Sequence, residues 1–104
     1  MAKTPERKLG MAVMQVLASR SDHKAHVRTL IKHVPDYVSL TEDDRKQSET
    51  RPHEEVWEQR VRNLKSHDKS EGNVINDGYV KHIGRGMYQL TDGGVLHLKN
   101  KGLL

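Results

Sequence analysis

Apolar residues recur at helical spacing in the first two thirds of this chain and at every second position in the last third. Up to about residue 70 they recur at helical spacing, which predicts helices. The first helix is expected from Thr4, as its N-cap, to about Arg20. The second is expected from about Lys24 to His33, and Pro35 ends it. The apolar positions of these two helices are Leu9, Val13, Val16, Leu17, Val27, Leu30, Ile31 and Val34.

Two further helices are predicted in the middle of the chain. Thr41 followed by Asp44 has the spacing of a capping box, which favours a short acidic helix over residues 41–45. A longer helix is expected over Arg51–Lys69, because Pro52 suits a first helical turn, where a missing N–H costs little. The apolar stripe of this longer helix consists of Trp57, Val61 and Leu64.

The last third of the chain changes to an alternating period. Residues 79–83 and 87–90 alternate apolar and polar side chains, which is typical of half-buried strands. Gly84-Arg85-Gly86 between them predicts a short hairpin turn, with the arginine at its tip. Val74 and Ile75 are expected to turn inward from the loop before the hairpin, and Val95, Leu96 and Leu98 form a short apolar tail after it.

The predicted order is helix, helix, short helix, long helix and β-hairpin. It is the order of a winged helix-turn-helix domain, an α+β fold in which three to four helices precede a β-hairpin wing. We therefore expect one winged-helix DNA-binding domain over residues 1–104, with residues 1–3 and 99–104 frayed. Other small α+β domains share this order of elements.

Composition and charge narrow the possible functions. Apolar residues make up 34% of the 104 residues, with one Trp and no Phe, so a deep enzyme cavity is not expected. There is no cysteine for disulfides or zinc, and no apolar run reaches the roughly 20 residues that a membrane helix needs. The net charge of +4 divides into +5 over residues 1–35, −5 over 36–59 and +4 over 60–104. We expect a cytoplasmic protein whose two basic regions can form a patch for a polyphosphate.

The polar face of the long helix and the wing supply the candidate DNA contacts. Gln59 and Asn63 can pair bidentately with adenine, and Arg62 with guanine. The basic end of the helix and the wing are expected to contact phosphates, and Arg85 also suits the minor groove. The alternative is an ordinary solvated surface. The candidate residues are Arg51, His53, Gln59, Arg62, Asn63, Lys65, Ser66, His67, Lys69, Lys81, His82 and Arg85.

Two residues of the long helix are assigned structural roles. Arg60 falls beside the apolar stripe, so we expect it to pair with an acid such as Asp43 or Asp44, with a DNA contact as the alternative. Trp57 is expected in the core; the alternative is a wall of a pocket for a modified or flipped base.

The sequence contains no pattern typical of catalysis or metal binding. His23 and His26 are three residues apart, but no third ligand follows at a familiar spacing. No Ser/His/Asp arrangement, glycine-rich phosphate loop or nuclease-like group of carboxylates stands out. We expect a protein that is not an enzyme and that uses no cofactor or metal.

Three segments resemble the N-terminal winged-helix domain of Mrr-type restriction proteins. They are SLTEDDR at 39–45, W-E-x-R-V-R at 57–62 and G-R-G-x-Y-x-L-T-D-x-G at 84–94, within a similarity that covers about two thirds of the chain. The resemblance implies a DNA-binding module that is fused to, or associated with, a nuclease domain.

These observations lead to one main functional hypothesis and one alternative. The first is a domain that binds a specific or modified double-stranded DNA site, as the reader module of a restriction or regulatory system. The alternative is a winged-helix domain for protein–protein interaction or dimerisation, in which the acidic residues 36–59 or an apolar face docks a partner. Whether the domain acts as a monomer or as a homodimer stays open at this stage.

Overall fold

Four α-helices and a three-stranded antiparallel sheet make up the part of the chain that the structure describes, residues 2–104 of a computed structural model. The fold is therefore α+β, as predicted. The elements in chain order are α1 (Glu6–Ala18), β1 (Lys24–His26), α2 (Val27–His33), a 3-10 turn (Val34–Asp36), α3 (Val56–Arg62), β2 (Val80–Gly84), β3 (Met87–Leu90) and α4 (Asp92–Asn100).

Helix α1 lies at the centre of the core, and the apolar positions predicted for it are buried. The helix begins at Glu6 because Thr4 does not cap it. The backbone N–H and the hydroxyl of Thr4 both donate instead to the buried carboxylate of Asp44. Thr4 therefore joins the start of the chain to the loop before α3, so the prediction that it is an N-cap was wrong.

The predicted second helix begins three residues late, because Lys24–His26 form strand β1. His23 has a φ of 57°, which breaks any helical path, and the next three residues pair antiparallel with β3. Their pairing partner is more than 60 residues further along the chain, so local periodicity could not reveal it. His26 ends the strand and caps α2, since its Nδ1 atom accepts the backbone N–H of Arg28 at 3.1 Å.

The two helices predicted in the middle of the chain are shortened or absent. Thr41 and Asp44 exchange hydrogen bonds as in a capping box, but residues 42–45 form turns and no helix follows. The helix predicted over Arg51–Lys69 is limited to Val56–Arg62. Pro52 lies in a turn before it, and residues 63–70 continue as a series of turns.

The hairpin is confirmed, and it extends into the three-stranded sheet. Strand β3 lies in the middle and pairs with both β1 and β2, which gives the order β1-β3-β2. A bulge between His82 and Gly84 shifts the register just before the turn. Gly86 adopts a φ of 68° in that turn, a conformation that glycine tolerates and that most other residues avoid.

The C-terminal tail is helical where fraying was predicted. Thr91 caps α4 by accepting the N–H of Gly94 at 3.0 Å, and Leu98 is fully buried in the core. Gly94 allows the helix to approach the preceding strand: a Cβ atom there would lie 2.3 Å from the carbonyl oxygen of Tyr79. The prediction was wrong for residues 99 and 100, which belong to the helix, whereas 101–104 are exposed. At the other end, Ala2 and Lys3 form no regular element, and Met1 lies outside the described residues.

Candidate nucleic-acid interface

The N-terminus of α3 is tied to the loop in front of it. The backbone N–H groups of Val56 and Trp57 donate to the carbonyl oxygens of Lys46 and Asp44, at 2.8 and 3.0 Å. Glu58 then closes the first turn, because its carboxylate accepts the N–H of Glu55 at 3.2 Å. The backbone donors that a free helix N-terminus would offer to a phosphate are therefore partly occupied within the protein.

One face of α3 is anchored in the core, as the apolar stripe predicted. Trp57, Val61 and Leu64 are all buried, and the indole N–H of Trp57 donates to Glu55 at 2.8 Å. The predicted core role of Trp57 is thus confirmed. Just beyond the helix, the buried Asn73 side chain donates to the carbonyl oxygen of Leu64 at 3.1 Å and satisfies one of the groups left open at the helix end.

Arg60 joins α3 to the start of the chain and is confirmed as a structural arginine. Its guanidinium donates to the carbonyl oxygen of Thr4 at 2.8 Å and to Glu6 at 3.0 Å, and it lies 3.6 Å from Asp44. Burial alone raises the pKa of Asp44, but hydrogen bonds from Thr4 and Thr41 outweigh it and hold this pKa below its usual value. Asp44, one of the two acids expected for Arg60, is therefore an ionised partner inside the core.

Of the three predicted base-reading residues, two are engaged by other side chains. Gln59 accepts from the hydroxyl of Ser48 and donates to that of Thr50 at 2.6 Å. Arg62 forms a two-pronged ion pair with Glu54, with its Nε and one terminal nitrogen 2.9 and 2.7 Å from the same carboxylate oxygen. The hydrogen bond to Glu54 raises the pKa of Arg62, so the arginine is charged but occupied.

Asn63, the third predicted base-reading residue, is the C-cap of α3, and its half-buried side chain has no hydrogen-bond partner among residues 2–104. Its amide is therefore open to an outside partner. Among the three residues, Asn63 is the one whose side chain can meet a base without first releasing another group.

The remaining candidates near α3 lie in exposed turns and not on a helix. Lys65 contacts Asp68 at 2.6 Å, and this hydrogen bond lowers the pKa of Asp68. Arg51 lies 3.8 Å from Glu54, and the other exposed candidates of this region are His53, Ser66, His67 and Lys69. The helical face predicted to carry all of them does not form, because the helix begins at Val56, after Arg51 and His53, and ends at Arg62, before the others.

The hairpin presents the other predicted residues to solvent. Lys81, His82 and Arg85 are exposed, and neither Lys81 nor Arg85 has an ion-pair partner in the described chain. The ring of His82 lies 5.3 Å from that of Tyr88, which is buried behind it. Burial raises the pKa of Tyr88, and a contact with the backbone of Lys65 opposes this effect, so the hairpin touches the segment that follows α3.

Sequence reasoning missed two residues that shape this surface. Glu54 is eight positions before Arg62, a spacing that indicates no pairing on a helix, so the ion pair depends on the turn over 51–54. Lys24 was assigned to a helix, whereas it lies in β1 opposite Gln89. The polar–apolar–polar order of Lys24-Ala25-His26 fits a strand, but three residues are too few to distinguish a strand from the start of a helix.

The described residues contain no group of three or more His, Asp or Glu side chains that could hold a metal ion. None of the helices within residues 2–104 is long and apolar enough to cross a membrane. No protein-family model, curated protein or solved structure matches the chain.

Proposed function

We propose that this chain is a winged-helix domain that binds double-stranded DNA. The observation that carries the proposal is the topology: β1 precedes the α2–α3 pair and then joins the hairpin to form a sheet of order β1-β3-β2. In a fold of this kind the second helix of the pair can lie in the major groove of DNA, while the β-hairpin, the wing, lies along the phosphate backbone. The unpaired cations Lys81 and Arg85 on the hairpin support the second contact.

In this proposal binding proceeds through phosphate capture and then base contact. The wing arginine, Arg85, meets the backbone or the minor groove, and Asn63 at the end of α3 pairs with a base edge. Arg62 reaches guanine only after it leaves Glu54, and Gln59 only after it leaves Ser48 and Thr50. Arg62 and Gln59 can therefore contact bases only if their present contacts within the protein break first.

The similarity of residues 39–45, 57–62 and 84–94 to Mrr-type winged-helix domains supports a biological setting for this proposal. The domain serves as the reader of a specific or modified DNA site in a restriction or regulatory system. A fused or associated nuclease would then supply the cutting chemistry, and the domain itself would act without a cofactor.

Binding of labelled duplexes tests the proposal directly. One duplex is used unmodified, with methylated adenine and with methylated cytosine, each from 50 to 200 mM salt. We expect affinity to fall steeply with salt and one modification state or sequence to bind best. Equal binding of all duplexes would refute recognition of a specific or modified site. No binding at 50 mM salt would refute the DNA-binding proposal.

The acidic front of α3 favours a second candidate function, a protein-interaction domain of the same fold. Glu54, Glu55 and Glu58 surround the N-terminus of the helix, and residues 36–59 carry a net charge of −5. Such a surface repels phosphates and suits a basic protein partner or a second copy. Sedimentation measurements that show a dimer, together with absent DNA binding, would favour this candidate.

A further inference from the structure

Two lysines flank a glutamine across the face of the sheet that points away from the core. Gln89 on the central strand pairs with Lys24 of β1 on one side and with Lys81 of β2 on the other. Their neighbours Ala25, Tyr88, Val80 and Leu90 are buried, so the alternation of a strand turns these three side chains outward. Two strand spacings place the Cα atoms of the lysines about 10 Å apart.

The charges of this row are not neutralised within the described chain. Neither lysine forms an ion pair, in contrast with Arg60 and Arg62 on α3. Asp22 accepts the backbone N–H of Lys24 at 3.0 Å, and Asp92 lines a groove of about 390 Å³ together with Lys81. Both carboxylates are exposed to solvent and leave the lysine ammonium groups unpaired.

Two arginines extend the row at the turn end of the hairpin. The backbone N–H of Val27 donates to the carbonyl oxygen of Gly86 at 2.8 Å, which holds the start of α2 against the turn. Arg28 and Arg85 are thereby brought to the same end of the sheet, and both are exposed without an ion-pair partner among residues 2–104. We call Lys24, Arg28, Lys81, Arg85 and Gln89 together the outer sheet surface.

We propose that the outer sheet surface binds the phosphate backbone of double-stranded DNA and that this contact is separate from α3. The proposal rests on the DNA-binding function proposed above and extends its wing contact, made by Lys81 and Arg85, to Lys24, Arg28 and Gln89. Free lysines and arginines beside an amide donor suit phosphate oxygens, whereas α3 begins among three glutamates. The contact is independent of sequence and provides the capture step.

The surface favours a duplex over a single strand. Proteins that hold single strands stack the bases on aromatic rings, and Tyr88 faces the core here. His26 is the one ring on the outer side of β1 or β3; it is half-buried, and the hairpin turn packs closely against it, since a Cβ atom on Gly86 would lie 2.6 Å from its Nε2 atom. Because this surface carries no row of aromatic rings, backbone charge is what it can recognise.

The test compares two double variants with the same change in charge. K24Q/K81Q removes the two lysines of the outer sheet surface, and K8Q/K99Q removes two exposed lysines on helices α1 and α4. Affinity for a labelled 16-base-pair duplex and for a single strand of the same length is measured by fluorescence anisotropy from 50 to 200 mM salt. Circular dichroism confirms that each variant is folded.

Each phosphate contact contributes about 0.9 to the slope of log affinity against log salt. For each protein, the duplex affinity at 50 mM salt is divided by the affinity at 200 mM salt. The loss of two contacts should make this ratio about 12-fold smaller for K24Q/K81Q than for the parent. K8Q/K99Q should keep the parent ratio, and the single strand should bind more weakly than the duplex.

Three results would contradict the proposal in different ways. An unchanged slope in K24Q/K81Q, with normal duplex binding by the parent, overturns the outer sheet surface and removes Lys81 from the wing contact, while DNA binding itself stands. Tighter binding of the single strand overturns the choice of a duplex. No binding by the parent protein refutes the DNA-binding function and the present inference with it.

Discussion

Replacement of Asp44 by alanine should destabilise the protein strongly, because this buried carboxylate joins three parts of the chain. It accepts the N–H and the hydroxyl of Thr4, accepts the N–H of Thr41 at 2.8 Å, and lies 3.6 Å from the guanidinium of Arg60. The Asp44 side chain has no solvent exposure, so water cannot replace it as acceptor without rearrangement.

The expected loss is about 4 kcal/mol. Hydrogen bonds to a charged group contribute about 1.5–3 kcal/mol each, and three that share one acceptor group are not additive. Arg60 keeps Glu6 and the carbonyl oxygen of Thr4 as partners, so it is not left as an isolated buried charge. In a domain with a total stability of about 5–15 kcal/mol this loss is large.

Urea denaturation followed by tryptophan fluorescence measures the effect, since Trp57 is buried in the first turn of α3 and its backbone N–H donates to the carbonyl oxygen of Asp44. The midpoint should move down by about 3 M urea. Asp43→Ala is the matched control, because the neighbouring carboxylate contacts the exposed Lys46 at 3.0 Å, and its loss should change stability far less. A loss below about 1 kcal/mol in Asp44→Ala would refute the role given to this carboxylate.

The pH dependence of this effect has a definite sign. The pKa of Asp44 is lowered in the folded protein from its ordinary value of 3.8. The ionised carboxylate therefore adds its full stability above pH 3.8, the pKa of the unfolded chain. This contribution is lost at lower pH, as the pH falls through the lower pKa of the folded protein. The difference in stability between the parent and Asp44→Ala should accordingly narrow below pH 3.8, and a constant difference would contradict the lowered pKa.

Three further substitutions test other contacts. Glu54→Gln should release Arg62 and tighten duplex binding about 5-fold. The control is Glu49→Gln, which removes the same charge from an exposed turn. Equal affinities of the two variants would mean that Arg62 makes no DNA contact. Gly94→Ala should lower the free energy of unfolding by about 2 kcal/mol, because the new Cβ atom would clash with Tyr79. A Cβ atom at Gly93 makes only ordinary contacts, so Gly93→Ala is the control, and the melting temperatures of the two variants are compared. Thr91→Ala should cost about 1 kcal/mol through the lost cap of α4, and an unchanged melting temperature would contradict the capping role.

Features with a local cause could be predicted from the sequence. The hairpin was predicted from the alternation in residues 79–83 and 87–90, since a two-residue period is a property of adjacent positions. The position of Arg60 beside the apolar stripe was likewise enough to predict a structural pairing with Asp43 or Asp44. In the first case the signal lies within one strand, and in the second it is the position of Arg60 on the helix, although its partner Asp44 lies outside that helix.

Features with a distant cause could not be predicted in this way. Strand β1 is three residues long and exists through its pairing with β3, so its sequence alone did not distinguish it from the helix that follows. Helix α4 was not predicted, because the sequence indicated only a short apolar tail there, and Gly94 is needed in it because α4 packs directly on Tyr79. The pairing of Arg62 with Glu54 depends on a turn between them, and it changes the expected base-reading face more than any other contact.

Mapping of the DNA-binding surface by NMR tests the central claim most directly. The ¹⁵N-labelled protein is titrated with an unmodified duplex at 50 mM salt, and backbone and side-chain amide shifts are followed. The account predicts changes at the hairpin turn over 84–86 and at the side-chain amide of Asn63. Changes confined to the acidic residues 42–58, or no changes at all, would contradict a winged-helix domain that binds duplex DNA.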